Sequence, residues 1–345
     1  MIDAPAAGET ARMAHAPLPW QHRLARELLA RRARWPHAVL VVGAAGIGKR
    51  VLATWLAQAL LCETPAADGA PCGACASCRY VAAGQHPDLR VVEPIEFDDD
   101  EAKPVEWIAV DRIRALTTWA GLTSHRGGAK VALIVPAERM NAAAANALLK
   151  TLEEPPGDTY FLLVSHAPGR LPATIASRCQ RITAPRPTLE QARAWLAAQG
   201  VGDVEGPLAQ SGGAPLRALA LADPGYQAER ATWTRALATP RRLSATELGA
   251  RIDAVPRELR KERLAAVVDW LIGWCVDLAR VRAGSPALEN PASTGALREL
   301  AASVAAVPLF RYHRSLLRQR ALLAHPLQPR LVVEALLIDY RALFG

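Results

Sequence analysis

Two kinds of hydrophobic periodicity divide the chain. Between residues 17 and 182, short apolar runs rich in β-branched residues alternate with stretches whose apolar positions recur at helical spacing. Candidate strands are His37–Val42, Leu89–Val92, Lys130–Val135, Tyr160–Ser165 and Gln180–Ile182. Strands that alternate with helices predict an α/β fold, a mostly parallel sheet covered by helices. The pattern changes at "TAPRP", Thr183–Pro187, where two prolines punctuate the chain. Thr188–Ala222 reads as a small helical unit: Glu190–Gln199, a Gly/Pro break, and a helix opening at Gly213-Ala214-Pro215. After Asp223-Pro224 no strand pattern remains. Pro256–Arg282 is predicted as one long helix with Leu264, Val267, Val268, Leu271, Cys275 and Leu278 on a single stripe. Pro308–Ala324 and Pro329–Phe344 follow, each opened by a proline suited to a first helical turn. The expected organisation is a flexible N-terminus (1–16), an α/β domain (17–182), a small helical unit (183–222) and an all-helical domain (223–345).

Composition narrows the class without naming a function. A chain of 345 residues is long for one core and predicts two or three domains. With 51% hydrophobic and 21% charged residues it has the composition of a globular protein. The longest apolar candidate, Leu264–Leu278, is interrupted by Asp269 and Asp277, so no bilayer-spanning segment is expected. The N-terminus lacks a charged region followed by an apolar one, which predicts a cytoplasmic protein with reduced thiols. The net charge of +8 is compatible with a polyanionic partner and equally with a merely basic surface.

The first chemistry is "VVGAAGIGKR", Val41–Arg50, set between a predicted strand and a predicted helix. Gly43, Gly46 and Gly48 allow successive backbone N–H groups to converge on an anion at the helix N-terminus, and Lys49 is placed to reach outer phosphates. The hydroxyl that should follow the lysine and hold Mg²⁺ is replaced by Arg50, which has no acceptor atom. A glycine turn that binds nothing is the bland alternative. A second magnesium contact is also missing. Phosphate-loop hydrolases keep an acid at a strand end beside the loop, but the strand in "KVALIVPAER" ends on Val135-Pro136, with Glu138 only later. Together these two absences argue against hydrolysis.

"LCETPAADGAPCGACASC" places Cys62, Cys72, Cys75 and Cys78 within one short insert, 62–78, with Gly69, Pro71 and Gly73 for tight turns. Overlapping C-x-x-C turns and one distant cysteine suit a tetrahedral Zn²⁺ site. Iron–sulfur runs of this spacing continue with a fourth cysteine and a proline, which are absent after Cys78. Four protein sulfurs leave no open position, so the expected role is structural. Cys179 and Cys275 stand apart and are expected to be buried thiols. Two basic positions remain, Arg178 in "TIASRC" and Arg217 in "GGAPLRALAL". By spacing alone they read as a surface ion pair and a helix-capping arginine.

"HRGGAKVALIVPAERMNAAAANALLKTLEEPP", "LPATIASRCQRI" and the four-cysteine insert resemble bacterial clamp-loader subunits of the AAA+ class, from about Pro19 to Leu221. The C-terminal third matches only in helical character and position. The resemblance implies an α/β AAA+ phosphate-loop domain with a zinc insert, a helical lid (183–222) and a helical collar (223–345) that joins subunits into a ring. Implied partners are the tau/gamma motor subunits and the delta subunit, with the sliding clamp and primer–template DNA met through the assembled complex. That complex serves the replicative polymerase holoenzyme, a nucleotidyltransferase assembly. Motor subunits keep Ser or Thr after the lysine and keep the acidic pair, and this chain keeps neither. Ser177-Arg178-Cys179 matches the family's S-R-C motif, whose arginine points into a neighbouring subunit's ATP site. Arg217 falls in the family's lid-arginine region. A non-hydrolysing ring subunit is therefore expected, with unproductive ATP binding at Lys49 left open. An active AAA+ motor is the alternative, although the longer motor forms carry further domains that this chain is not expected to hold.

Overall fold

A computed structural model describes residues 16–31, 34–98, 101–285, 288–323, 325 and 327–345. The expected flexible N-terminus lies outside the described residues apart from residue 16. The chain divides into two compact units, which separate between Gln191 and Ala192.

In the first unit the order is α1 (His22–Leu29), β1 (Ala38–Val42), α2 (Lys49–Leu61), α3 (Ala76–Ala82), β2 (Leu89–Val92), β3 (Ile95–Asp98) and β4 (Glu101–Pro104). Then come α4 (Val110–Ala120), β5 (Lys130–Ile134), α5 (Ala142–Glu153), β6 (Thr159–Ser165), α6 (Ala173–Ala176), β7 (Gln180–Thr183) and the start of α7 (Leu189–Ala198). Five strands form one sheet in the order β2-β5-β6-β1-β7. All four pairings are parallel. β1 and β5 are buried at every position, as strands covered on both faces must be. Leu40, Val42, Ala132, Ile134, Phe161 and Leu163 point to one face and pack with α4 and α5. α2 crosses the sheet, in contact with β1, β5 and β6. Its long run of buried residues, from Val51 to Leu61, reflects that position.

All five candidate strands are present. Two details differ. The chain adds an antiparallel hairpin, β3–β4, whose short polar sequence carries no strand pattern. And β5, the strand that ends near Val135-Pro136, is not beside β1: β6 lies between them. The neighbour of the phosphate loop is the end of β6, where Ser165 pairs in register with Val42.

The second unit is helical among its described residues: the rest of α7, α8 (Glu205–Gln210), α9 (Pro215–Leu221), α10 (Pro224–Leu237), α11 (Ala245–Asp253), α12 (Arg260–Arg282), α13 (Thr294–Ser303), α14 (Ala306–Leu322) and α15 (Pro329–Arg341). The predicted helix from Pro256 begins later, at Arg260, after a separate 3₁₀ turn over Arg257–Leu259. All six residues of its predicted stripe are buried, and Trp270 and Trp274 widen that stripe. Polar groups buried with it are satisfied. Asp277 accepts from Glu289 N (2.9 Å), Asn290 N (2.8 Å) and Asn290 Nδ2 (2.8 Å). Trp274 Nε1 donates to Tyr340 Oη, which donates to the Leu237 carbonyl, each at 2.8 Å.

Candidate functional site: a self-engaged phosphate loop and an outlying arginine

Parallel strands give the sheet two chemically distinct edges. The loop Gly43–Gly48 leaves the C-terminal end of β1 and enters α2. Gly43, Gly46 and Gly48 have φ values of +153°, +74° and +87°. At Gly48 the glycine is required twice over. Its φ is left-handed, and a Cβ there would lie 2.1 Å from Leu18 Cδ1.

The chain's own groups engage this loop. Lys49 is buried, and its Nζ donates to the carbonyls of Gly43 (2.8 Å) and Ala44 (2.5 Å). The Gln21 amide, fully buried, donates to the carbonyls of Ile47 (3.1 Å) and Gly48 (2.9 Å). Trp20 Nε1 adds a bond to Ile47 O at 3.0 Å. Arg50, where a magnesium-binding hydroxyl would stand, forms a two-pronged pair with Glu93 just past β2. Nη1 meets Oε1, and Nη2 meets Oε2 at 2.8 Å. Both oxygens of that carboxylate are thus committed to a guanidinium.

The far side of the loop's mouth has no strand-end acid. Val135-Pro136 follows β5, and Glu138 falls in a 3₁₀ turn over Ala137–Arg139. There Glu138 Oε1 accepts the backbone N–H groups of His166 (2.9 Å) and Ala167 (3.1 Å), fastening the β5 and β6 ends together.

Arg178 stands at the other edge. It precedes β7, as Glu153 at the end of α5 precedes β6, so both lie at the N-terminal edge of the sheet. β1 alone separates the two edges by about 15 Å, from five residues at strand rise. Arg178 Nε donates to Glu153 Oε1 at 2.7 Å, and Nη2 meets the same oxygen. Its Nη1 donates to the Thr174 carbonyl at 2.9 Å. The surface ion pair read from spacing is therefore present, with Glu153 as its partner. Arg217 belongs to the second unit and is exposed on α9. Burial raises the pKa of Tyr226 and of Glu289, and the charge of Arg217 works against it at both. The expected helix-capping role of Arg217 has no hydrogen bond to support it among the described contacts.

The four insert sulfurs converge, all within 4.8 Å of one another. Cys62 and Cys75 Sγ are 3.9 Å apart, and Cys72 and Cys78 Sγ 4.0 Å. A tetrahedron with metal–sulfur bonds of about 2.3 Å has edges of about 3.8 Å, so the spacing fits a metal and is far beyond a disulfide bond. Backbone N–H groups point at the sulfurs: Cys72 N at Cys62 (3.3 Å), Cys75 N at Cys72 (3.3 Å) and Cys78 N at Cys75 (3.4 Å). The Thr64 hydroxyl and the N–H groups of Cys75 and Ala74 bring the Cys72 thiol down to about 6, whereas burial pushes Cys78 up. Gly69 and Gly73 take the positive φ expected of the knuckle's turns. Cys179 and Cys275 are not part of this cluster, and both are buried.

A polar relay fastens this knuckle to the sheet. Asp88 N donates to His86 Nδ1 at 3.0 Å, which leaves the proton on Nε2 for Ser77 Oγ, also at 3.0 Å. Ser77 in turn donates to Glu63 (2.9 Å), as does Arg126 Nε (2.8 Å). These residues wall a cleft of about 780 Å³ under the N-terminal edge.

Gln21, Glu93, Glu153 and the relay were not singled out by sequence reasoning. Glu153 sits inside a motif that carried the family resemblance, and Glu93 directly follows a predicted strand. The partners of both are remote in sequence, so spacing holds no signal for the pairs.

A family model described as "DNA polymerase III, delta subunit" matches residues 21–188. DNA polymerase III subunit delta' of Pseudomonas aeruginosa is 42% identical over 268 residues, covering 76% of this chain and 77% of that protein. Its counterpart from Escherichia coli is 33% identical over 271 residues, 78% of this chain and 77% of that one. Similarity to the tau subunit of Escherichia coli, 39% over 160 residues, covers 46% of this chain and 23% of tau. With the sheet, the four-cysteine cluster and the helical C-terminal unit in place, these matches establish that the chain belongs to the delta-prime family of bacterial DNA polymerase III clamp-loader subunits.

Proposed function

We propose that this chain is the non-hydrolysing stator of a clamp-loader ring, contributing Arg178 to the ATP site of a neighbouring subunit while its own loop turns over no ATP. The observation that carries this reading is the placement of Arg178 and the phosphate loop at opposite edges of one parallel sheet. An arginine so placed cannot serve its own chain's loop. It is available only to a nucleotide held by another subunit. A guanidinium at the γ-phosphate offsets charge that develops in the transition state, and in well-studied cases accelerates hydrolysis by roughly 10³–10⁵.

At the loop, Arg50 and Glu93 occupy each other where magnesium coordination is needed, and Val135-Pro136 supplies no acid. Gly43, Gly46, Gly48 and Lys49 retain a phosphate-binding outline, which favours at most unproductive ATP binding. The cysteine cluster is assigned structural Zn²⁺. In this reading 183–222 is the lid and 223–345 the collar through which the chain joins tau/gamma and delta subunits. The ring then acts on the sliding clamp and primer–template DNA.

The same loop outline and the likeness to tau favour a motor reading, against which the missing magnesium contacts weigh. ATP turnover by the isolated chain separates the two. No hydrolysis above background is expected, with or without DNA and clamp. Turnover that disappears in Lys49→Ala would overturn the stator reading.

A further inference from the structure

We propose that Glu153 is the positioning residue for Arg178, fixing the guanidinium with one part of its fork while leaving another for phosphate. This rests on the reading of Arg178 as a finger in trans.

A guanidinium has five N–H donors. Two of them, on Nε and Nη2, converge on the single oxygen Oε1 of Glu153. One on Nη1 is held by the Thr174 carbonyl at 2.9 Å. What remains is the second Nη2 N–H and an Nη1 N–H whose other contact, Ser177 Oγ, is 3.5 Å away. The Arg178 side chain is 32% exposed, so the residue is not sealed within the fold. The pair therefore orients the guanidinium without exhausting it.

Glu153 also stands where structural economy would not put it. It is the last residue of α5, where the helix dipole disfavours a carboxylate. The position is fixed by sequence, because Pro155 pushes Glu154 out of the helical region (φ −128°, ψ 76°) and the helix stops. An ion pair this exposed adds little stability. A local rule broken without structural gain points to function.

The test uses loader rings reconstituted with variants of this chain, reading kcat and KM for ATP hydrolysis beside the melting temperature of each variant. Glu153→Ala is expected to lower kcat about twofold to fivefold through loss of orientation, with KM and melting temperature little changed. Glu153→Gln, which keeps an acceptor oxygen, should recover most of that loss. In an Arg178→Ala background Glu153→Ala should have no further effect. Wild-type kcat for Glu153→Ala, beside a reduced kcat for Arg178→Ala, would overturn the positioning role and leave the finger reading intact. An equal loss in the Arg178→Ala background would also overturn it, since Glu153 would then act elsewhere. Wild-type kcat for Arg178→Ala would remove the finger reading and this inference with it.

Discussion

At the C-terminal edge of the sheet an arginine meets both oxygens of a carboxylate, and at the N-terminal edge another arginine meets only one. Arg50 and Glu93 close on each other at the start of a helix laid across the sheet. Arg178 and Glu153 meet at the ends of two helices and leave part of the fork uncommitted. The residue types are the same. The difference lies in what each pair leaves over, and on the proposed reading it separates a site engaged within its own chain from one that acts outward.

The largest effect that would sharpen this comparison belongs to the N-terminal edge. Removing the metal from Cys62, Cys72, Cys75 and Cys78 should unfold the insert and lower stability sharply, because binding free energy there is folding free energy. Metal analysis should find one equivalent of zinc per chain. Less than half an equivalent, or iron with visible absorbance, would contradict the assignment. Binding requires thiolates, and Cys78 is pushed upward by burial when metal-free. Protons are therefore released on binding, and affinity should fall as pH is lowered from about 8 to about 6.

At the C-terminal edge, Gly48→Ala should destabilise by about 2–4 kcal/mol, from a left-handed φ and a clash with Leu18. Denaturant unfolding would measure it. A loss of that size, together with no nucleotide turnover by the isolated chain, would mean that the glycine serves the fold. Smaller effects follow from the pairs themselves. Arg50→Ala should cost about 1–2 kcal/mol, since Glu93 is left partly buried without its partner. Arg178→Ala should cost less than about 1 kcal/mol, as exposed pairs do. Equal costs would break the distinction between the edges. Arg50→Thr should not restore hydrolysis, because no acid stands at Val135-Pro136.

Much of this was legible in the sequence because it is local. The five sheet strands are short apolar runs bounded by turns, and the cysteine knuckle is a matter of spacing. The phosphate loop announces itself through three glycines and a lysine. What was not legible depends on strand order. The phosphate-loop hydrolase pattern put the strand ending at Val135 beside the loop, whereas β6 intervenes, a fact set by the crossover path and not by any residue in the strand. The pairs Arg50–Glu93 and Arg178–Glu153 join residues 43 and 25 positions apart, so no periodicity marks them. The β3–β4 hairpin has polar strands whose pairing is local but whose pattern is silent.

The most direct measurement of the central claim is ATP hydrolysis and clamp loading by the assembled ring, with Arg178→Ala and Lys49→Ala introduced separately into this chain. Arg178→Ala is expected to leave the chain folded and in the ring, while slowing both activities partially, as the proposed arrangement with one of several ATP sites bordering this subunit requires. Lysine at that position should rescue poorly, lacking the planar fork. Lys49→Ala should change either activity little. Wild-type loading with Arg178→Ala, together with loading abolished by Lys49→Ala, would reverse the roles of the two edges and make this chain a motor.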